Sequence, residues 1–398
     1  MKDLKLTFVV DEMPFYAFSC KNQVKTVEIR ACGGEIRCSV LYDSHSDPLL
    51  LRGGVKQGDC ISVVLMDHRI ELYVNGKLVD EEWPMGKRLF EWGDGFEPDA
   101  ILTEEYIAPQ KKDASVLGEF YGAEGWRPEE NVFVGDCMPY LRGDEYHVLY
   151  LKDRHHHYSK WGMGAHQWAH ISTKDFNKWQ IHPMAVEITH PDEGSVCTGS
   201  WISFGGKEYL YYTVRRGGTL ASPVRRSVSE DGYHFKKDED YGFILPEGYD
   251  RARARDPKIV RDENGTFHMI ITTSLVAEGK GCLAHFVSTD LENWVDTGKP
   301  VYVSADGTEP ECPDYFYYKN KHYLVFSLNA RAVYMLSDTP FDNWQIPENP
   351  HIPCAFVPKC ALWQDKIVFA GYIGIDGYAG TMTFKTAIAD EKGELIFY

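Results

Sequence analysis

Ser172-Thr173-Lys174-Asp175-Phe176-Asn177-Lys178-Trp179 is met again as Ser229-Glu230-Asp231-Gly232-Tyr233-His234-Phe235, as Ser288-Thr289-Asp290-Leu291-Glu292-Asn293-Trp294 and as Ser337-Asp338-Thr339-Pro340-Phe341-Asp342-Asn343-Trp344. The serines stand 57, 59 and 49 residues apart. Each copy follows strand-like runs such as Tyr146-His147-Val148-Leu149-Tyr150-Leu151, Tyr209-Leu210-Tyr211-Tyr212-Thr213-Val214 and His322-Tyr323-Leu324-Val325-Phe326. A recurring unit of that length, made of short strands and a polar turn, matches one four-stranded propeller blade. A last strand-rich stretch, from Ala361-Leu362-Trp363 through Phe384, brings the count to five. The expected fold is all-β: a five-bladed β-propeller over residues 129–398, preceded by a small β-sandwich.

The sandwich is expected over residues 1–90. Thr26-Val27-Glu28-Ile29-Arg30 and Ile61-Ser62-Val63-Val64-Leu65-Met66 read as short strands, and Ile70-Glu71-Leu72-Tyr73-Val74 runs into Asn75-Gly76, a strong hairpin signal. With Lys77-Leu78-Val79-Asp80 the hairpin resembles a strand pair of concanavalin-like sandwich modules. Residues 91–128, rich in Gly, Pro, acidic and aromatic residues, read as a linker. The first module could cap the propeller, approach the substrate or make a homo-oligomer.

A formal charge of −17 argues against nucleic acid, whose phosphates are bound by clustered Lys and Arg. Aromatic residues make up 14% of the 398, which suits β packing and stacking on sugar faces. No membrane partner is expected, because the opening residues hold no apolar core and no run approaches the length of a span; the expected location is cytoplasmic. Ten cysteines lack the spacing of zinc fingers or CxxC pairs and are expected to be reduced. Neither a cofactor nor a metal site is expected, with His155-His156-His157, His166 and His170 the cluster to watch.

In a propeller the innermost strands line one channel, so residues early in different blades converge on the axis. Three acidic groups stand at such positions: Gly135-Asp136, Arg255-Asp256-Pro257 and Glu311-Cys312-Pro313-Asp314. Paired carboxylates are the minimal equipment for cleaving a glycosidic bond. Arg255-Asp256-Pro257 and Glu311-Cys312-Pro313-Asp314 resemble the RDP and ECPD motifs of glycoside hydrolase family 32, the β-fructofuranosidase family. Cys197-Thr198-Gly199-Ser200 resembles its FSGS segment, and Trp161 with His166-Gln167-Trp168-Ala169-His170 its tryptophan and HWGH stretch.

That resemblance implies a retaining enzyme of the invertase kind, acting on a small oligosaccharide. Asp136 would be the nucleophile, Glu311 the general acid/base, and Asp256 the residue that holds sugar hydroxyls. Arg255 would orient the carboxylates, Cys312 would shape the pocket beneath the acid, and Trp161, Thr198, Gly199, His166 and Gln167 would bind substrate. The first motif departs from the family's NDPNG, reading Gly135-Asp136-Cys137-Met138-Pro139, and Leu151 replaces a glutamine. Asp153 and His155 are the expected replacement donors. Two other readings stay open: an inverting family 43-type arabinosidase or xylosidase, and a non-catalytic sugar-binding propeller.

Overall fold

The computed structural model of the protein describes residues 3–21, 25–41, 49–66, 70–82, 101–107, 114–128, 131–154, 166–189, 193, 195–216, 218–353 and 355–398. Every regular element among them is a strand. The first module holds β1 (Leu4–Val9), β2 (Phe15–Lys21), β3 (Lys25–Cys32), β4 (Glu35–Leu41), β5 (Leu49–Gly54), β6 (Cys60–Leu65), β7 (Ile70–Val74) and β8 (Lys77–Glu82), joined by β9 (Leu102–Glu105). They form two sheets, ordered β8-β7-β6-β1-β9 and β2-β3-β4-β5. Leu6, Phe8, Ile29, Ile36, Leu51, Ile61, Val63 and Leu72 belong to one core cluster drawn from both sheets. The β7–β8 hairpin turns at Asn75 (φ 50°) and Gly76 (φ 77°), the paired left-handed residues of a type I′ turn.

Residues 91–128 are not only a connector. β9 pairs with β1, and β10 (Gly118–Tyr121) pairs with a strand of the next sheet. Both are short edge strands; β9 is exposed throughout and lacks the alternation that marks a half-buried strand.

The propeller follows. Its first unit contains β11 (Val132–Arg142), β12 (Glu145–Arg154), β13 (His166–Thr173) and β14 (Lys178–Ile181), with β10 outside β14. The second contains β15 (Ser195–Phe204), β16 (Lys207–Arg215), β17 (Val224–Ser229) and β18 (Lys236–Lys237), and the third β19 (Arg255–Arg261), β20 (Phe267–Leu275), β21 (Lys280–Ser288), β22 (Val295–Asp296) and β23 (Tyr302–Val303). Then come β24 (Glu311–Tyr318), β25 (Lys321–Leu328) and β26 (Arg331–Ser337), and finally β27 (Phe356–Trp363), β28 (Lys366–Gly374), β29 (Gly380–Ala389) and β30 (Leu395–Phe397). The leading strands β11, β15, β19, β24 and β27 pack each against the next, and β27 returns to β11. The pair Val134–Gly380 joins the first unit to the last.

The repeated motif is a turn. Ser229 Oγ accepts the N–H of Gly232, while Asp231 Oδ1 accepts those of Tyr233 and His234. Ser288 and Asp290 do the same for Leu291, Glu292 and Asn293. The residue closing each turn has positive φ: Phe176 58°, Gly232 80°, Leu291 65° and Phe341 58°. In the first copy the capping hydroxyl is that of Thr173, not Ser172, since Thr173 Oγ1 accepts from Phe176 N. Ser172 lies one residue earlier and is bonded into a buried polar group instead.

A second regularity positions the site. All five leading strands slip register against their neighbours at one place: between Val134 and Cys137, Val196 and Gly199, Arg255 and Lys258, Glu311 and Asp314, and Phe356 and Lys359. In each bulge two residues face one. The unpaired doublets are Gly135-Asp136, Cys197-Thr198, Asp256-Pro257, Cys312-Pro313 and Val357-Pro358. Proline, with no N–H to offer a ladder, is tolerated where the ladder is broken. Asp256 (φ 58°), Cys312 (φ 52°) and Val357 (φ 38°) sit in the left-handed region, a strained conformation for a side chain and costing on the order of 1–3 kcal/mol each. The bulges turn chosen side chains toward the axis.

Buried ion pairs fasten the first module to the propeller. Glu82 pairs with Arg154 and Glu81 with Lys152, all four side chains being buried. Asn131 Nδ2 donates to Arg52 O at 2.8 Å across the same seam. Burial lowers the Arg154 guanidinium to about 9, against the pull of Asp80 and Glu81. No helix among the described residues is long and apolar enough to cross a membrane.

Candidate active site

Asp136, Thr198, Asp256 and Cys312 come from four successive bulges and meet in one buried knot. Asp136 Oδ2 accepts the Thr198 hydroxyl at 2.5 Å and the Cys312 thiol at 3.3 Å. Its other oxygen, Oδ1, accepts the Tyr378 hydroxyl at 2.8 Å. The Cys312 sulfur also lies 3.6 Å from Asp256 Oδ2, and the Cys312 N–H donates to that same oxygen at 3.0 Å. One thiol therefore sits between two carboxylates. Burial, reinforced by the charges of Asp136 and Asp256, pushes its pKa well above the usual thiol range, so it stays protonated and donates.

Burial also pushes the Asp256 carboxyl up, Arg255 and Lys359 opposing and Asp136 adding to the rise. Lys359 is fully enclosed, its Nζ donating to Gly199 O at 3.0 Å, and burial lowers its pKa. Lys258 pairs with Asp314 at 2.5 Å, and Asp314 accepts the Cys360 N–H at 2.7 Å, tying β24 to its neighbours β19 and β27. Beyond this constriction the same strands line a cavity of about 450 Å³ that includes Lys258, Asp314 and Lys359.

Glu311 opens outward. Its side chain is 46% exposed, and Arg255 Nη2 donates to its Oε1 at 3.0 Å. Arg255 Nη1 donates to Glu309 Oε2 at 2.5 Å, while its Nε lies 3.8 Å from Asp256. Glu309 lies in the loop before β24, buried, and is also held by Arg253 and Ser274. One guanidinium thus serves three carboxylates.

The remaining expected residues divide. His166 Nε2 and Asp153 Oδ1 are 2.9 Å apart, and the His166 ring lies 5.2 Å from that of Tyr378, so this pair backs the Tyr378 hydrogen bond. Gln167 is fully buried and accepts the Ile188 N–H at 2.8 Å, which makes it a loop anchor. Gly199 is a packing residue: a Cβ there would lie 1.8 Å from Tyr211 O. Trp161 and His155 lie outside the described residues.

Sequence reading missed Tyr378 and Lys359. Tyr378 arrives from the β28–β29 loop, Gly377-Tyr378-Ala379-Gly380, and a Cβ on Gly135 would meet its hydroxyl at 2.6 Å. That glycine, where the family has asparagine, is the signal that could have found it. Tyr372 makes an edge contact with Tyr378 at 5.4 Å and stacks on Phe356 at 5.5 Å. Both line a cavity of about 660 Å³ that also reaches Arg331 and His351.

Fructan 1-exohydrolase IIa from Cichorium intybus shares this fold with a TM-score of 0.57 at 17% identity, over 69% of this chain and 60% of that one. Sucrose-6-phosphate hydrolase from Lactobacillus gasseri superposes with a TM-score of 0.55 at 14% identity, over 68% of this chain and 63% of that one. In sequence, sucrose-6-phosphate hydrolase of Escherichia coli is 32% identical over 295 residues, 64% of this chain and 59% of that protein. Each match spans less than two thirds of the relative's length. The model of the glycosyl hydrolases family 32 N-terminal domain matches residues 136–357, from the first bulge to the last and more than half of the chain. The chain belongs to glycosyl hydrolases family 32.

Proposed function

We propose that the protein is a retaining glycosidase that cleaves small β-fructofuranosides, sucrose-like sugars or short fructo-oligosaccharides, by double displacement. The observation that carries this reading is the knot itself: among the described residues the buried Asp136 is held by neutral donors, with Glu311 opening outward on the Arg255 guanidinium. Neutral donors fix the orientation of the carboxylate oxygens, and none of these three is a cation. Asp136 attacks the anomeric carbon of the fructosyl unit while Glu311 protonates the departing oxygen. A fructosyl ester on Asp136 results. Glu311 then takes a proton from water, which attacks the same carbon and frees Asp136.

Asp256, with its raised pKa, is suited to grip sugar hydroxyls rather than to attack. Phe356, exposed and stacked on the buried Tyr372 that touches Tyr378, offers a face for the leaving saccharide. Family membership does not favour the inverting or non-catalytic readings. The curated and structural relatives named for sucrose 6-phosphate make that ester the second substrate to try beside sucrose. A cytoplasmic location agrees with the eight described cysteines, all free thiols, one of them inside the knot.

Proton NMR of the first turnover tests the mechanism. Release of fructose with its starting anomeric configuration is expected, and initial inversion would sink it. Glu311→Gln should lose about 10²–10⁴-fold on sucrose and much less on a fructoside with an activated leaving group, which needs no proton. Equal losses on both would remove Glu311 from the acid role. Chromatography of the whole chain against the isolated residues 114–398 tests self-association through the first module.

A further inference from the structure

Away from the channel constriction, at the seam between the first and second strand units, His147 on β12, His170 on β13 and His182 after β14 are all buried, and one ring nitrogen of each lies within 4.8 Å of the others. We propose that these three imidazoles, all from the first strand unit, form a site for a divalent transition-metal ion of the zinc type.

The tautomers point the same way. His182 Nδ1–H donates to Ser115 O at 2.5 Å, which leaves Nε2 facing the cluster, the second-shell arrangement that orients histidine ligands. His147 Nδ1 and His170 Nε2 are 2.9 Å apart, near the edge of about 3.3 Å expected between imidazole nitrogens on tetrahedral zinc. The opposite nitrogens, His147 Nε2 and His170 Nδ1, are buried with no hydrogen-bond partner among the described residues. If the facing pair binds a cation, both ring protons move to those outer nitrogens. His147 Nε2–H then faces Glu145 Oε2, 3.6 Å away.

With His182 neutral, its Nε2 is an acceptor. Ser172 has one hydroxyl proton, and both Glu145 Oε1 and His182 Nε2, the latter 2.6 Å away, face it as acceptors. A metal on His182 Nε2 takes up that lone pair. Burial lowers His147 to about 3 and His170 far below its ordinary value, so both are neutral and ready to ligate near neutral pH. Charge is balanced by Glu145, while the nearby Arg142 is already spent on Glu208 at 3.2 Å. The Tyr140 hydroxyl, 3.2 Å from His170 Nε2, is placed to complete the set. A cavity of about 420 Å³, lined by His170, His182 and His234, gives the ion a way in.

Chelator-treated full-length protein titrated calorimetrically with zinc chloride should bind one equivalent. The equivalent should survive in the triple variant His155→Ala/His156→Ala/His157→Ala, which removes the consecutive histidines as an alternative, and weaken at least 10-fold in His182→Gln. Cobalt(II) should give visible absorption of a tetrahedral centre and three paramagnetically shifted ring N–H resonances in the wild-type protein. No stoichiometric zinc in the wild type, its loss in the triple variant, undiminished affinity in His182→Gln, or fewer than three shifted ring protons would each overturn the proposal. The cobalt spectrum needs no substitution, so it decides the matter even if His182→Gln misfolds.

Discussion

Asp136 and Glu82 are both buried carboxylates, and their surroundings are opposite. Glu82 at the module seam faces a guanidinium, that of Arg154, with Glu81 and Lys152 paired beside it. Asp136 faces a phenol, a hydroxyl and a thiol, and none of its partners among the described residues is a cation. A seam needs its charges cancelled, because an uncompensated ion in low dielectric costs several kcal/mol. A nucleophile needs its charge kept and its lone pairs steady. Neutral donors hold geometry without quenching reactivity.

The largest effect that would break this contrast is on rate. Asp136→Asn keeps shape but gives up the charge, and turnover of sucrose or its 6-phosphate should fall at least about 10⁴-fold with the melting temperature little changed. Retained turnover would remove Asp136 from the reaction. At the seam the readout is stability. Arg154→Met takes from the buried Glu82 its guanidinium partner and should cost about 3–5 kcal/mol in urea unfolding. Adding Glu82→Leu should restore most of that loss. A double variant as unstable as the single would mean that packing, not charge, holds the modules together.

Tyr378→Phe is the intermediate case. It removes the donor on Asp136 Oδ1 without opening a cavity, since the ring remains against Tyr372 and His166. A hydrogen bond to a charged group contributes about 1.5–3 kcal/mol, so kcat should drop roughly 10–100-fold with KM nearly constant. A change confined to KM would instead make Tyr378 a sugar contact.

How much of this was legible follows from which interactions are local. The repeated turn could be read because its hydrogen bonds run between residues two or three apart, so each copy must carry Ser or Thr and, in three of the four, Asp at fixed offsets. Pro257 and Pro313 could be read as motif letters, and their physical meaning, the broken ladder of a bulge, appears only with register. Tyr378 was invisible because it reaches Asp136 only when the last strand unit meets the first. Nothing in the linear sequence marks Lys152 and Arg154 as buried; the first module covers them with Glu81 and Glu82. Among the described residues the histidines that cluster are far apart in sequence. His147 and His170 lie on neighbouring strands and His182 just after the next, a spacing that no linear motif encodes.

The smallest prediction separates the two variables that differ between Asp136 and Glu82, burial and the kind of donor. Asp290 has neutral donors like Asp136 but lies exposed in the third repeat turn, accepting the N–H groups of Asn293 and Glu292 at 2.8 Å each. The backbone bond from Asn293 and that residue's side-chain amide hold its carboxyl below the usual range, and the Lys178 and Asn177 N–H groups do the same for Asp175. A carboxyl whose folded pKa is depressed stabilises the fold above its unfolded value of about 3.9 and loses that contribution as pH falls through the folded pKa. Asp290→Asn keeps an acceptor oxygen for both backbone donors and cannot be protonated. Its stability should therefore fall less than the wild type's between pH 4 and pH 2, measured by thermal melts, with little change at pH 7. An equal acid loss in both proteins would mean that these turns contribute geometry alone, and that neutral donors matter energetically only when, as around Asp136, the carboxylate is buried.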